Sequence, residues 1–206
     1  MSVENMELPT RLAMKLRGEL AVPGSKSHTI RALLIAALAD GESELLCPLV
    51  SEDTLSGRDM VEQLGASVSE EQTADGFLLW RVRGIPASQF EERSGIFINV
   101  GNSGTSLYLG TAIAALFSRP IHFDGDASIR RRSAKNLLCA LQDWGVRVDS
   151  ENFCCPYTIE GPIRGGATRI AAPTSQYLSA LLLALPLSGT GGEIQVDLLN
   201  EHPYID

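Results

Sequence analysis

The sequence predicts an α/β chain, of the α+β type, in which one βαβαββ unit is repeated. Two observations carry this prediction. Apolar strand-like and helix-like segments alternate, and turns of small, hydroxyl-bearing residues join them. Three such turns are Pro23-Gly24-Ser25-Lys26-Ser27, Gly101-Asn102-Ser103-Gly104-Thr105 and Pro173-Thr174-Ser175-Gln176. They recur with a period of about 70 residues, which indicates repeated units that share one core.

In the first unit, the apolar residues up to Val22 predict a strand that ends at the Pro23-Gly24 turn. Ser25 is a good helix N-cap, and the apolar run that follows predicts a helix to Leu38. The unit then continues with a strand over residues 44–49 and an acidic turn over residues 51–53. A second helix ends near Gly65, and closing strands end at Gly84.

The second unit has the same predicted elements in the same order. A strand over residues 96–100 precedes a helix over 107–116, a strand over 121–123 and an acidic turn over 124–126. A second helix then ends near Gly145, and closing strands end at Gly161. The third predicts a strand from Arg169, a helix over 177–184 and a strand over 193–199, before the chain reaches Asp206. Judged against the other units, we expect about 25–30 residues of the third to be missing. All three units belong to one predicted globule over 19–206. Their bounds are about 20–84, 96–161 and 168–206.

Composition and charge exclude several classes of protein. The net charge of −8 leaves no basic stripe for nucleic acid. The first 18 residues lack the apolar centre of a signal peptide, and the longest apolar run, over 177–185, is too short to cross a bilayer. We therefore expect a cytoplasmic protein without a nucleic-acid or membrane partner.

The cysteines and histidines do not predict a metal site. The four cysteines show no Cys-x-x-Cys spacing, and the three histidines are scattered along the chain. We interpret the cysteines as reduced core or edge thiols. Cys154 and Cys155 are expected at alternate positions of a strand.

The first turn has the chemistry of an anion site. Ser25, Lys26 and Ser27 bring hydroxyls, backbone N–H groups and an ammonium to one helix N-terminus, where the macrodipole also favours an anion. Arg31 lies one helical turn beyond Ser27, so both can face the same ligand. The turn does not match the Walker pattern, because Ser25 stands where that pattern needs glycine. An ordinary Ser-capped helix with solvated basic side chains is the alternative interpretation.

Arg130, Arg131 and Arg132 form a dense basic cluster in this acidic chain. We predict that they begin a helix and attract an anion. Because adjacent helical side chains point about 100° apart, one or two of them at most can reach one ligand. The others are expected to pair with surface carboxylates, and a solvated basic helix start is the alternative.

In their order along the chain, these motifs resemble the N-terminal half of the 5-enolpyruvylshikimate-3-phosphate synthase family, the 3-phosphoshikimate 1-carboxyvinyltransferases. The matching motifs are Pro23-Gly24-Ser25-Lys26-Ser27 with Arg31, Gly101-Asn102-Ser103-Gly104-Thr105, Gly125-Asp126 through Arg132, Thr174-Ser175-Gln176, and Pro203-Tyr204-Ile205-Asp206. The resemblance implies the enolpyruvyl transferase fold, with two globules of three βαβαββ units. It also implies that residues 1–18 belong to the second globule.

The reaction that the resemblance implies transfers the enolpyruvyl group of phosphoenolpyruvate to the 5-hydroxyl of shikimate 3-phosphate. It needs no metal or organic cofactor. The implied catalytic residues are Lys26, Asp53 and Arg132. The residues implied to bind shikimate 3-phosphate are Lys26, Ser27, Arg31, Thr174, Ser175, Gln176 and Tyr204. Those implied to bind phosphoenolpyruvate are Lys26, Asn102, Gly104, Arg132 and Gln176. Both substrates are anions, which explains lysine and arginine at helix starts.

Three residues depart from the family pattern. Tyr108 stands where the family usually carries arginine, and Ser128 replaces an arginine of some members. Glu201 stands where a serine helps to bind the shikimate phosphate. A carboxylate at this position is expected to weaken phosphate binding, because two like charges then face each other.

The family's proton-transferring groups lie in its second globule, so we expect no measurable turnover from the 206-residue chain alone. One alternative is an inactive fragment or split-enzyme subunit that binds shikimate 3-phosphate, a C-terminal half or a second copy of itself. Another is UDP-N-acetylglucosamine 1-carboxyvinyltransferase. Members of that family carry a Lys-Asn pair in the first turn and a loop cysteine, whereas this chain has Lys26-Ser27 and no such cysteine.

Overall fold

The computed structural model describes residue 15 and residues 17–205, so the predicted segment 1–18 lies almost entirely outside the described residues. The first elements are α1 (Lys26–Leu38), β1 (Glu42–Leu46), α2 (Glu52–Leu64), β2 (Ser67–Gln72), β3 (Leu78–Arg83) and α3 (Ala87–Glu91). The next are β4 (Ile96–Asn99), α4 (Gly104–Ala114), β5 (Ile121–Asp124), α5 (Lys135–Asp143), β6 (Arg147–Ser150) and β7 (Tyr157–Glu160). The last are β8 (Gly166–Ala172), α6 (Ser175–Ala184) and β9 (Gly192–Leu199). Helices and strands alternate, as the sequence predicts.

The first sheet contains β1, β3 and β2 in that order, with antiparallel pairings throughout. The predicted strand before Pro23 is wrong. Residues 17–25 form no strand, and Leu20 and Val22 are 87% and 78% exposed. A strand needs a neighbour to complete its hydrogen bonds, and no strand in the described part of the chain pairs with this stretch.

Each of the other two sheets contains a parallel pair. The second sheet has the order β4-β5-β7-β6, and β4 runs parallel to β5 with Ile96 opposite Ile121. In the third sheet β8 runs parallel to β9, with Gly166 opposite Gly192. Parallel neighbours need a crossover, which α4 and α6 supply. Both helices therefore begin just beyond the carboxyl end of a strand.

One continuous cluster of buried apolar side chains joins these elements. Helix α4 lies at its centre, because all 11 of its residues are buried and it packs against α1, α2, α5 and α6. A helix that is apolar on every side is stable when neighbours cover it on every side. Helix α4 thereby fixes the positions of the other helices around it.

The closing strands of the first two predicted units meet the preceding helices in the same way. Gly84 follows β3, and a Cβ there would collide with the carbonyl oxygen of Ala39, just after α1. Gly161 follows β7, and a Cβ there would collide with the carbonyl oxygen of Ala115, just after α4. Only glycine allows this close approach of strand to helix. The division into three units stays a prediction.

The prediction that Arg130–Arg132 begin a helix is wrong. Residues Ile129–Arg131 form a single 3₁₀ turn, and α5 begins only at Lys135. The carboxylate of Asp126 accepts two backbone N–H groups of this turn, at 2.8 and 2.9 Å. Such a side-chain cap satisfies the first N–H groups of the turn, as it would at the start of a helix. Arg132 then adopts an extended backbone, with φ −89° and ψ 119°.

Cys154 and Cys155 also differ from their predicted place, because they lie in the loop between β6 and β7 and not in a strand. The two residues before them, Asn152 and Phe153, have positive φ angles of 58° and 57°. This left-handed backbone turns the chain and ends the strand pairing. All four cysteines are free thiols.

Candidate active site

The first turns of α1, α2, α4 and α6 meet around a polar cavity of about 320 Å³. Its lining residues are Lys26, Glu52, Asp53, Asn102, Ser103, Gly104, Thr105, Arg132 and Gln176. Helix N-termini carry N–H groups without intrahelical partners and a partial positive charge, so their convergence favours an anionic ligand. A larger cavity of about 500 Å³ lies between α1 and β1, but no lysine or arginine lines it.

Lys26 and Asp53 face each other across the cavity. The ammonium lies 3.4 Å from Asp53 Oδ2, and both side chains keep contact with solvent. Asp53 is held in the first turn of α2, whose N-cap Ser51 exchanges hydrogen bonds with Thr54 in a capping box. The hydroxyl of Ser106 on α4 donates to the carbonyl oxygen of Asp53 at 3.3 Å. These bonds connect the starts of α2 and α4.

Arg132 closes another side of the cavity. Its Nη2 donates to Asn102 Oδ1 at 3.2 Å and to Ser128 Oγ at 3.3 Å. A Cβ at Gly104 would lie 2.7 Å from Arg132 Nη1, so the absence of a side chain lets the guanidinium lie against the start of α4. A guanidinium and a helix N-terminus repel each other electrostatically, and an anion between them would stabilise both.

Gln176 connects α6 to α4, because its Nε2 donates to Thr105 Oγ1 at 3.3 Å. The residues before it, Thr174 and Ser175, direct their donors to the carboxylate of Glu201 instead of into the cavity. These hydrogen bonds, first of all those from Ser175, hold the pKa of Glu201 below its usual range. The hydroxyl-rich start of α6 thus already has an acceptor.

Arg31 and Tyr204 do not line this cavity but a separate one of about 230 Å³. The guanidinium of Arg31 donates to Ser27 O at 3.3 Å and to Ser179 Oγ at 3.1 Å, and its Cζ lies 4.8 Å from the centre of the Tyr204 ring. Burial lowers the pKa of Arg31 from its ordinary value. His28 meets the same tyrosine ring edge-on, at 5.8 Å between centroids. These contacts fix the orientation of Tyr204.

Six of the eleven residues implied by the resemblance line the cavity, namely Lys26, Asp53, Asn102, Gly104, Arg132 and Gln176. Of the other five, Arg31 and Tyr204 line the separate cavity, and Ser27, Thr174 and Ser175 line neither of the two. Sequence reasoning missed the lining residues Glu52, Ser103 and Thr105 and the contact of Ser179 with Arg31. Ser179 lies one helical turn after Ser175, and this spacing was the available signal.

Tyr108, which replaces an arginine of the family pattern, points into the core. It is 7% exposed and meets the ring of Tyr177 edge-on, with 4.9 Å between centroids. Burial raises the pKa of its hydroxyl above the ordinary value. The cavity therefore lacks the positive charge that an arginine at this position would bring, and the tyrosine side chain does not line it.

Two further observations concern metals and membranes. Among residue 15 and residues 17–205, no three His, Cys, Asp or Glu side chains are grouped so that they could hold a metal ion. No helix of the same residues has the length and apolarity that a membrane span requires. The expectations of a cofactor-free site and of a cytoplasmic location stay predictions.

A family model described as EPSP synthase (3-phosphoshikimate 1-carboxyvinyltransferase) matches residues 11–206. The chain belongs to the EPSP synthase family. A 3-phosphoshikimate 1-carboxyvinyltransferase of Acetivibrio thermocellus is 42% identical over 194 residues, which are 93% of this chain and 44% of that relative. One of Methanothermobacter thermautotrophicus is 38% identical over 206 residues, which are 98% of this chain and 47% of that relative. The chain thus spans slightly less than half the length of these EPSP synthase relatives.

Solved structures agree with this membership of the EPSP synthase family. An EPSP synthase from Acinetobacter baumannii superposes with a TM-score of 0.68 and 26% identity, over 82% of this chain and 38% of that one. The enolpyruvyl transferase NikO from Streptomyces tendae superposes with a TM-score of 0.55 at 12% identity, over 89% of this chain and 40% of that one, and supports the fold alone. The predicted α/β chain with the enolpyruvyl transferase fold is confirmed.

Proposed function

We propose that this chain supplies the N-terminal half of a site for enolpyruvyl transfer from phosphoenolpyruvate to the 5-hydroxyl of shikimate 3-phosphate. One observation carries the proposal: Lys26 and Arg132 face one polar cavity at which four helix N-termini converge. Both substrates are anions, and this arrangement offers charge-assisted hydrogen bonds to two anions at once. Membership of the EPSP synthase family supports the choice of substrates.

In this proposal, phosphoenolpyruvate lies between Arg132 and the backbone N–H of Gly104, with Asn102 and Gln176 beside it. Lys26 lies between the two substrates. The guanidinium of Arg132 already lies against the start of α4, which leaves little reorganisation for the binding of a phosphate. These residues hold the phosphate that departs during the transfer.

Shikimate 3-phosphate occupies the neighbouring side of the site. Ser27 and Arg31 bind its carboxylate side, Tyr204 lines its ring, and Thr174 and Ser175 receive its phosphate. Arg31 is already oriented by its bond to Ser179 and by the aromatic ring above it, which supports a positioning role for this side chain.

The transfer forms a bond between the 5-oxygen and C2 of phosphoenolpyruvate and breaks the bond between C2 and the phosphate oxygen. Inorganic phosphate leaves, and the hydroxyl proton of the acceptor is released with it. Lys26, Asp53 and Arg132 are the catalytic residues that we propose from this chain. They contribute proximity and electrostatic stabilisation of the departing phosphate.

Calorimetric titration of the full chain tests the proposal. Phosphoenolpyruvate is expected to bind in the presence of shikimate 3-phosphate, and Arg132→Ala to weaken it by about a hundredfold, since a charge-assisted contact is lost. Gly104→Ala is expected to weaken it by about tenfold through displacement of the guanidinium, while the free energy of unfolding changes by less than about 0.5 kcal/mol. Arg83→Ala, an arginine with a 74% exposed side chain on β3, is the control. Equal affinities of these three variants and the unchanged chain would contradict the proposal.

We also propose that this chain binds a second polypeptide, either a complementary C-terminal half or a second copy. In the part of the chain that the structure describes, β9 pairs with β8 alone. Val196 and Leu198 on β9 are 39% and 47% exposed, and Leu182 on α6 is 44% exposed. A strand edge with apolar side chains favours the addition of another chain.

Size-exclusion chromatography with light scattering tests this second role. We expect a mass above the 22.2 kDa of one chain. We expect Val196→Lys to abolish this association, because it places a charge on the exposed apolar strand edge. Val50→Lys, at an exposed position before α2, is the control for added charge. A monomer at every accessible concentration would contradict self-association.

A further inference from the structure

The start of α6 holds an anion that belongs to the chain itself. The carboxylate oxygen Oε2 of Glu201 accepts the backbone N–H of Ser175 at 3.0 Å and the hydroxyl of Ser175 at 2.9 Å. It also lies 3.3 Å from the hydroxyl of Thr174, which donates to it. One oxygen therefore accepts three hydrogen bonds, as an oxygen of a bound phosphate would.

The backbone of Glu201 indicates that this contact is held at a cost. Its φ and ψ are 59° and 45°, a left-handed conformation that residues with a side chain rarely adopt. The three hydrogen bonds at the start of α6 offset this strain. The positive charge of Arg31 acts on the same carboxylate and also favours its ionised form.

We propose that Glu201 is a specificity-determining residue whose carboxylate occupies the anion position at the start of α6 and competes there with a ligand phosphate. This inference rests on the proposed function, because that function brings the phosphate of shikimate 3-phosphate to Thr174 and Ser175. Glu201 is exposed, so its side chain has solvent to move into when a phosphate displaces it.

A specific consequence follows for ligand choice. A ligand that presents a neutral hydroxyl at this position leaves the Glu201 contact intact. A ligand that presents a phosphate has to break three hydrogen bonds and then meets a like charge nearby. The phosphate of shikimate 3-phosphate therefore adds less binding affinity, relative to unphosphorylated shikimate, in this chain than it would at an unoccupied helix start.

Nuclear magnetic resonance of the full chain tests the inference with inorganic phosphate as the probe. The backbone amide of Ser175 reports directly on the anion that it contacts. Glu201→Gln keeps the shape of the side chain and removes its charge. In this variant, phosphate is expected to shift the resonance of this amide and to bind with an affinity about tenfold higher than in the unchanged chain. Glu201→Ser is the second variant, and it is expected to show the same gain.

Glu193→Gln is the matched control, because Glu193 is an exposed carboxylate on β9 and its replacement removes the same charge. It is expected to leave the phosphate affinity unchanged. Equal affinity in the unchanged chain and both Glu201 variants, or no phosphate effect at Ser175 in any of them, would overturn the inference.

Titration with shikimate and with shikimate 3-phosphate then separates this inference from the proposed function. We expect the preference for the phosphorylated ligand to rise about tenfold in Glu201→Gln. If inorganic phosphate binds more tightly to the variant but neither shikimate ligand binds to any chain, the proposed function fails and the role of Glu201 stands. If shikimate 3-phosphate binds and the preference stays the same, the role of Glu201 fails.

Discussion

Each basic side chain of the candidate site has a polar partner within the chain. Lys26 contacts Asp53, Arg132 donates to Asn102, and Arg31 donates to Ser179. These partners hold the cations in defined directions before a ligand arrives. A ligand therefore finds an organised site, and its anionic groups add to the existing bonds or replace them.

At the scale of single residues, the ion pair between Asp124 and Arg130 predicts a pH dependence of stability. Arg130 Nε donates to Asp124 Oδ1 at 2.8 Å, and this contact is the main cause that lowers the pKa of Asp124 below its usual range. The folded state thus prefers the ionised carboxylate. Its contribution to stability is complete above the unfolded pKa of about 3.9 and is lost as the pH falls through the lower folded pKa.

Urea unfolding of Asp124→Asn checks this sign. At pH 7 we expect a loss of about 1–3 kcal/mol, because the bidentate pair with Arg130 is broken. The difference from the unchanged chain should shrink as the pH falls below the unfolded pKa of about 3.9 and through the lower folded pKa, because Asp124 then becomes protonated. Arg83→Ala, which breaks an exposed pair with Glu42, is the control and should change little. A loss that is constant across this pH range would contradict the assignment.

At the scale of elements, the capping box of α2 predicts a separate effect. Ser51 Oγ accepts the N–H of Thr54 at 3.4 Å, and Thr54 Oγ1 accepts the N–H of Ser51 at 2.9 Å. Ser51→Ala is expected to destabilise the chain by about 1 kcal/mol, measured by urea unfolding. Ser69→Ala, on an exposed position of β2, is the control. A loss no larger than that of the control would mean that the box does not stabilise α2.

How far the sequence predicted each element depended on whether its signal was local. The start of α1 was predictable from Ser25, and the end of α2 from Gly65, because caps act within one turn. The strand before Pro23 was not, since strand formation depends on a partner elsewhere in the chain. The Arg130–Arg132 segment was also misread, because the turn ends at Arg132, whose backbone is extended.

The site, like the elements, was predictable from the sequence where its signals are local and not where they depend on distant contacts. The turns that line the cavity were visible as small, hydroxyl-bearing motifs, and the first of them carries Lys26. The contact of Glu201 with Ser175 was not visible, because 26 positions separate the two residues in sequence. The family resemblance implied a carboxylate beside the shikimate phosphate, but only the fold aims its oxygen at three donors.

At the scale of the whole molecule, the single buried cluster predicts one cooperative unfolding transition. The two tryptophans report on different regions of the fold, because Trp80 lies on β3 and Trp144 follows α5, and both are fully buried. In Trp80→Phe and in Trp144→Phe, the remaining tryptophan fluorescence should change at the same urea concentration as the helical circular dichroism. Separate midpoints within either variant would show that these regions unfold independently.

The close approaches at Gly84 and Gly161 have a consequence for mutational tolerance. A Cβ at either position would meet a backbone carbonyl oxygen, of Ala39 or of Ala115, and no change of side-chain rotamer can move such an atom away. At Gly76 and Gly189, in contrast, a Cβ would meet no atom within 4 Å. In a library of random substitutions, Gly84 and Gly161 should therefore stay glycine in nearly every folded variant, whereas the exposed turns should accept several residue types.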